Sequence, residues 1–353
     1  MASYSFPWNT VDTLIGDEVV KNIYDQWTKS NAFFYRARQR TKMFRGGRSL
    51  QVPLNWKPMR SQWIRGADLI ETSVQDPITM ATFYPHTNVT PITVTWDDEK
   101  TCQGPNQVAD LVDSLGEIAK NSALDTIGTD IYNDGSDIKN ITGLQYIFKD
   151  FTGGAPGTLP SQTYGNITRA GLYGSSTATN GWYIHQGDNT AYTDAAGGNF
   201  DPLGAGKVLT ILGKMWGKIF RASGKRPTLI LSNTGSLAIY HNALALNDRY
   251  MRPQQDSKMA EAGYENLKYK TAVWVEDEKA PRDSSNIEKI YFINENTGLR
   301  LYVHEDANFT YMPFRQAYNQ LARTAYILWR GELVAYEPRS CGVMSSVNTS
   351  TSS

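Results

Sequence analysis

An α+β fold follows from three features of the sequence. One strong amphipathic helix, 106–132, stands by itself; helices and strands alternate between 207 and 303; and strand-like alternation recurs towards both ends, at 50–56, 92–96 and 325–329. At roughly 150 residues per domain, the 353 residues leave room for about two structural units.

Residues 16–30 form a short amphipathic helix, with Val19, Val20, Ile23 and Trp27 on one side and Asp17 and Glu18 at its start. Between Phe33 and Gly66 stand nine cations (Arg36, Arg38, Arg40, Lys42, Arg45, Arg48, Lys57, Arg60 and Arg65), and no acid occurs before Asp68. Leu50, Val52, Leu54 and Trp56 alternate as a strand, and so do Ile92, Val94 and Trp96. Pro53 argues for a sheet edge in the first of them. The stretch between the two strands is far too long for an ordinary hairpin turn, so it is expected to project from the body as a functional arm.

Asn106 is a plausible N-cap for the long helix, in which Val108, Leu111, Val112, Leu115, Ile118, Ala119 and Ala123 make one apolar stripe opposite Asp110, Asp113 and Glu117. Beyond Ala123 the apolar set rotates to Leu124, Ile127 and Ile131, so the far half is expected to meet a different neighbour. Asn133, Asp134 and Gly135 end the helix in a turn. Loops and short strands are expected over 140–205, where Gly, Thr, Ser and Asn dominate. A core-facing helix at 207–222 follows. After it come a strand at 228–231, a helix at 236–246, and strands near 272–275, 290–293, 299–303 and 325–329. The Ser/Thr-rich residues 345–353 read as a frayed tail.

Composition excludes several classes of function. Thirty-five basic and 35 acidic residues cancel, so no global field selects nucleic acid or an anionic membrane as a partner. Cys102 and Cys341 form neither a disulfide framework nor a zinc knuckle, and a reducing compartment is expected. Met1 to Trp8 lacks the pattern of a signal peptide, and no window is apolar enough to span a membrane. His86, His185, His241 and His304 stand alone, without metal-ligand spacing. The glycine-rich strings before Lys207 and Lys225 lack the spacing of a phosphate loop, and no nucleophile-elbow or dinucleotide motif occurs. An enzyme is therefore not expected, and no catalytic residue, cofactor or metal is assigned.

Several local strings, in order, resemble the major capsid proteins of tailed phages, the Hong Kong 97-type shell fold. They are TWDDEK (95–100) before the long helix, YNDGS (132–136) and GL (143–144) after it, DRY (248–250), AGYENL (262–267), YFIN (291–294), LRLYV (299–303), DANFT (306–310) and WRGELV (329–334). The resemblance implies five segments. These are an N-terminal arm (1–46), an extended β-hairpin loop or E-loop (47–101), a P-domain with the long spine helix (102–140), an A-domain (141–297), and a return to the P-domain with a C-terminal tail (298–353).

It also implies a subunit that forms hexamers and pentamers of a virion shell, assembled in the host cytoplasm, with a portal and packaged double-stranded DNA as partners and no membrane. Met1 lies close ahead of the arm, so no internal scaffold segment fits and a separate scaffolding protein is expected. An encapsulin-type compartment is the alternative, and a carbohydrate-binding or hydrolase domain is the alternative of another class. A basic arm and a projecting hairpin make sense where subunits overlap. Intersubunit contacts are accordingly expected at Arg36, Arg38, Arg40, Lys42, Arg45, Trp63 and Ile64, with the cations facing Asp110, Asp113 and Glu117 of a neighbour's spine helix. Trp63, Ile64, Leu69, Ile70 and Phe83 are expected to be buried against an adjacent subunit.

Overall fold

The alternation at 50–55 does form a strand, and its partner shows how the chain is laid out. The computed structural model describes residues 31–55, 59–101, 105–148, 163–168, 186–188, 205–246, 267–282, 287–316, 318 and 320–348. The helix expected at 16–30, the DRY string, Trp56 and most of 140–205 lie outside these residues. In chain order the first elements are α1 (Ala32–Gln39), β1 (Lys42–Phe44), β2 (Leu50–Asn55), β3 (Ile78–Phe83), β4 (His86–Thr95), α2 (Trp96–Thr101) and α3 (Pro105–Asp130). Next come α4 (Leu144–Ile147), β5 (Thr163–Tyr164), β6 (Ile167–Thr168), β7 (Gln186–Asp188), α5 (Ala205–Ser223), β8 (Leu229–Ser232) and α6 (Thr234–Leu246). The last are β9 (Leu267–Tyr269), β10 (Ala272–Glu276), β11 (Ile287–Ile293), β12 (Leu299–Gln316), β13 (Ala322–Ala335) and β14 (Gly342–Asn348).

β2 pairs with β3, from Leu50 opposite Phe83 to Asn55 opposite Ile78. The reading that made 92–96 the returning strand is therefore corrected. β4 leaves the hairpin and pairs along β13, from Thr95 opposite Ala322 to His86 opposite Gly331, and Trp96 begins α2. The projecting loop is thereby shortened to the residues between Asn55 and Ile78. ITMATF in β3 lacks the strict alternation of the run at 92–96, yet Ala81 and Phe83 are the two side chains it buries on the body.

Two sheets carry the cores. The four-stranded sheet has the order β1-β12-β13-β4, with α3 packed on β4. Ile92, Val94, Ala325, Ile327 and Leu333 are buried within it. The six-stranded sheet has the order β7-β14-β11-β8-β10-β9. Its β8, LILS, is buried at all four positions, as a strand covered on both faces must be. Ile230, Trp274 and Phe292 are cross-strand neighbours and belong to the core with Met215, Trp216, Ile219 of α5 and Tyr240 of α6. Leu231, Val275 and Tyr291 occupy the opposite face and belong to a second core with Phe33, Phe34, Ile127, Ile131 and Ile147. Helices α5 and α6 thus cover one face, and α1, α4 and the end of α3 cover the other.

Of the segment expected to fray, residues 345–348 belong instead to β14, and 349–353 lie outside the described residues. β14 lies between β7 and β11, with Val343, Met344, Ser345 and Val347 buried. Its serines were misleading because a strand covered on both faces also accepts small polar residues, and composition alone does not separate that case from a tail. After β12 and β13 in the four-stranded sheet, the chain therefore crosses once more to the six-stranded one.

At 1.5 Å per residue α3 is about 39 Å long. Val112, Ala119 and Ala123 on its first stripe are buried, whereas Ile118, expected there, is 61% exposed. The rotated set Leu124, Ile127 and Ile131 meets α1 and the six-stranded sheet. The turn beyond is built by side chains: Asn133 Oδ1 accepts from Gly135 N at 2.9 Å and Asp134 Oδ1 from Ser136 N at 3.0 Å. Gly143 is required by close approach, since a Cβ there would lie 2.2 Å from Asn133 N. Gly143→Ala is expected to destabilise the fold by about 1–3 kcal/mol, because the neighbouring atoms are backbone and cannot yield. Urea denaturation checks this, and a loss under about 0.5 kcal/mol, typical of a neutral surface change, contradicts it.

Candidate assembly surface

The basic arm turns back on its own chain. Asn31 caps α1 by accepting from Phe34 N at 2.9 Å, and Phe33 and Phe34 are buried beside the end of α3. Phe33 N donates to Asp277 Oδ2 at 3.3 Å. Burial raises the Asp277 carboxyl above its ordinary value, against hydrogen bonds from the backbone N–H groups of Lys279 and Phe33 that favour its charged form. Lys279 also forms an ion pair with Asp125 on α3.

Arg36 grips Glu295 with two bonds, Nε to Oε1 at 2.8 Å and Nη2 to Oε2 at 3.1 Å. Arg40 donates to Asn296, and Arg45 forms an ion pair with Glu305 that holds this carboxyl below its ordinary value. Lys42 Nζ lies 5.6 Å from the centre of the Tyr336 ring. Three of the cations expected to face a neighbour's spine helix, Arg36, Arg40 and Arg45, therefore have partners in their own chain, in the turn between β11 and β12 and at the bend of β12. Arg38 is half-buried on α1, and Glu117 is exposed on α3. Asp110 and Asp113 lie on α3, with side chains outside what the structure describes. The signal for Glu295 was its place in the polar turn between YFIN and LRLYV, two strands the sequence reading had already located.

The hairpin presents apolar side chains without an apolar surface to cover them. Trp63 is 103% exposed, Val74 100% and Leu69 94%, and Met59, Ile64, Ile70, Ile78 and Met80 are also exposed. Polar bonds shape the loop: Arg60 N donates to Gln75 Oε1 at 2.6 Å, Gln62 Nε2 to the Leu69 carbonyl at 2.9 Å, and Arg65 N to Asp68 Oδ2 at 2.8 Å. Phe83 departs from expectation. It is buried in its own chain, with its ring 5.0 Å from that of Tyr164, where Thr82 N also donates to the Gly165 carbonyl at 2.9 Å. Exposed Tyr318 and Leu321 at the far end of the β12–β13 ribbon add a second apolar tip that sequence reading missed.

At the base of the hairpin, His86 Nδ1 lies 2.7 Å from Glu332 Oε2, and Glu332 Oε1 accepts from Thr142 N at 3.2 Å. Glu332 is 1% exposed. Its hydrogen bond raises the His86 value, and burial raises that of Glu332. Beside them a cavity of about 350 Å³ opens between the β3–β4 corner and the turn after α3. His86 appeared in the sequence only as a lone histidine, and Glu332 only as part of WRGELV. Among the described residues no group of three potential ligands could hold a metal, and no helix is long and apolar enough to cross a membrane.

No family model and no curated protein matches the sequence. Solved structures do match. The capsid of cyanophage A-1(L) superposes with a TM-score of 0.61 at 13% identity, covering 90% of this chain and 93% of that one. The capsid of an empty GTA particle gives 0.55 at 14% identity, with 88% and 95% covered. The SrpI encapsulin of Synechococcus elongatus PCC 7942 gives 0.52 at 9% identity, with 90% and 88% covered. At such identities the likeness speaks for the fold, and it covers nearly the whole chain: the chain has the Hong Kong 97-type shell fold.

Proposed function

We propose that this chain is a major capsid protein, whose copies form the hexamers and pentamers of an icosahedral head around double-stranded DNA. The observation that carries the reading is the hairpin, a built and hydrogen-bonded loop whose Trp63, Leu69 and Val74 are uncovered in the single chain. Such a surface is costly unless a second copy covers it. Arg38, Lys42 and Glu117 are proposed as further polar contacts between copies, with Asp110 and Asp113 on the same helix as Glu117. The role is structural rather than catalytic. The higher TM-score with the cyanophage capsid, 0.61 against 0.52 for the encapsulin, favours a DNA-filled head over an enzyme compartment. Virion location, assembly in the host cytoplasm, a portal and a separate scaffolding protein belong to the same proposal.

Expression of the chain alone, followed by negative-stain imaging, tests it. Curved sheets, spirals or irregular shells are expected, because self-complementary subunits without a scaffold close at wrong geometries. A monodisperse monomer at tens of micromolar would overturn the capsid reading. Uniform closed shells that load a co-expressed protein would favour the encapsulin reading.

A further inference from the structure

The corner between β3 and β4 decides the direction in which the hairpin leaves the body, and one ionisable pair holds it. His86 is the first residue of β4, three positions after Phe83 ends β3. Its partner Glu332 lies on β13 in the four-stranded sheet, and the second oxygen of that carboxylate accepts from Thr142 in the segment after α3. The pair thus ties the corner to two parts of the body. The neighbouring cavity of about 350 Å³, lined by Tyr84, Ile138 and Tyr146 among others, leaves the corner space to shift.

We propose that His86 and Glu332 form a proton-operated latch, closed while the imidazole is charged and loosened when it is neutral, which sets the angle of the β2–β3 hairpin. The reasoning is electrostatic. Glu332 has almost no access to water, so its negative charge needs a positive partner. Among the described residues that line the cavity with it, His86 alone is basic. Asp137 lines the same cavity, with Asp130 behind it at the end of α3, and both are acids. Tyr146 and Tyr164 donate elsewhere, to the carbonyls of Thr163 and Leu333. Tyr302 stands opposite Glu332 in register on β12 and is a neutral phenol. Loss of the imidazolium proton therefore leaves a buried carboxylate with neutral donors only.

The direction of the pH effect follows. A histidine whose native value lies above 6.5 stabilises the closed state fully below 6.5, and this contribution disappears as pH rises through the raised value. Glu332, also raised, holds its proton more tightly in the closed state and so acts in the same direction, at lower pH.

Hydrogen exchange on the full chain in unassembled form tests the latch, with protection factors corrected for the intrinsic pH dependence of exchange. Protection in peptides covering 78–95 is expected to fall several-fold between pH 6 and pH 8.5, as the imidazolium that holds the corner is lost. Protection at 287–293 in the core should stay constant. His86→Gln should show the low protection at both pH values. Glu332→Gln, which removes the buried charge and retains an acceptor, should also lose the step and is the informative variant if the first fails to fold. An unchanged step in either variant, or no step in the parent chain, would overturn the latch. The readout needs no shell, so failure of the capsid reading would leave it intact.

Discussion

Replacing Trp63, Leu69 and Val74 together by Ser is expected to abolish assembly while leaving the subunit folded. Each of the three is at least 94% exposed, so the single chain loses no packing when they are changed. Burial of such side chains against a second copy contributes about 1.5–3 kcal/mol each. Loss of all three removes roughly 5 kcal/mol or more per contact, above a thousandfold in association. A shell repeats the contact at every subunit, so the defect is multiplied. Sedimentation and imaging should find only small species, with a denaturation midpoint equal to that of unassembled parent chain. Particles at the parent yield would show that the hairpin covers nothing essential.

Much of this surface was legible in the sequence, for physical reasons that differ among its parts. The long helix was readable because a stripe repeating at 3.6 residues over about four turns, from Val108 to Ala123, has few competing explanations. The α+β class followed from alternating elements that each carry a clear period. Trp63 and Ile64 were readable as lying outside the chain's own core, where the structure leaves them exposed, because they fall in a loop between strands.

Pairing was not legible. β4 has the cleaner alternation, but alternation reports that a strand has two faces and says nothing about its partner. The hydrogen bonds of β4 go to β13, more than two hundred residues away, and those of β2 go to the less conspicuous β3. The same limit hid Glu332 and Glu295. A buried carboxylate is recognised by its partner, and His86 and Arg36 lie 246 and 259 residues from theirs. The basic run at 36–45 therefore read as a surface awaiting a neighbour, although Arg36, Arg40 and Arg45 have polar partners in the fold and Lys42 lies by the Tyr336 ring.

Arg36→Ala is accordingly expected to damage folding rather than assembly alone. The Arg36 side chain is 15% exposed and that of Glu295 8%, so the substitution leaves a buried carboxylate whose remaining described donor is the Thr228 hydroxyl at 3.3 Å. Removal of one member of a buried ion pair costs about 3–5 kcal/mol. Arg45→Ala provides the contrast. Its side chain is 83% exposed and solvent screens the pair, so the Arg45 variant should denature almost as the parent does. The double variant Arg36→Met with Glu295→Met should recover most of the loss, because an apolar pair of similar volume removes the unpaired charge. Urea denaturation of the unassembled chain measures all three. A loss below about 1 kcal/mol for Arg36→Ala would mean that solvent reaches Glu295, and would return Arg36 to the cations available for a neighbouring subunit.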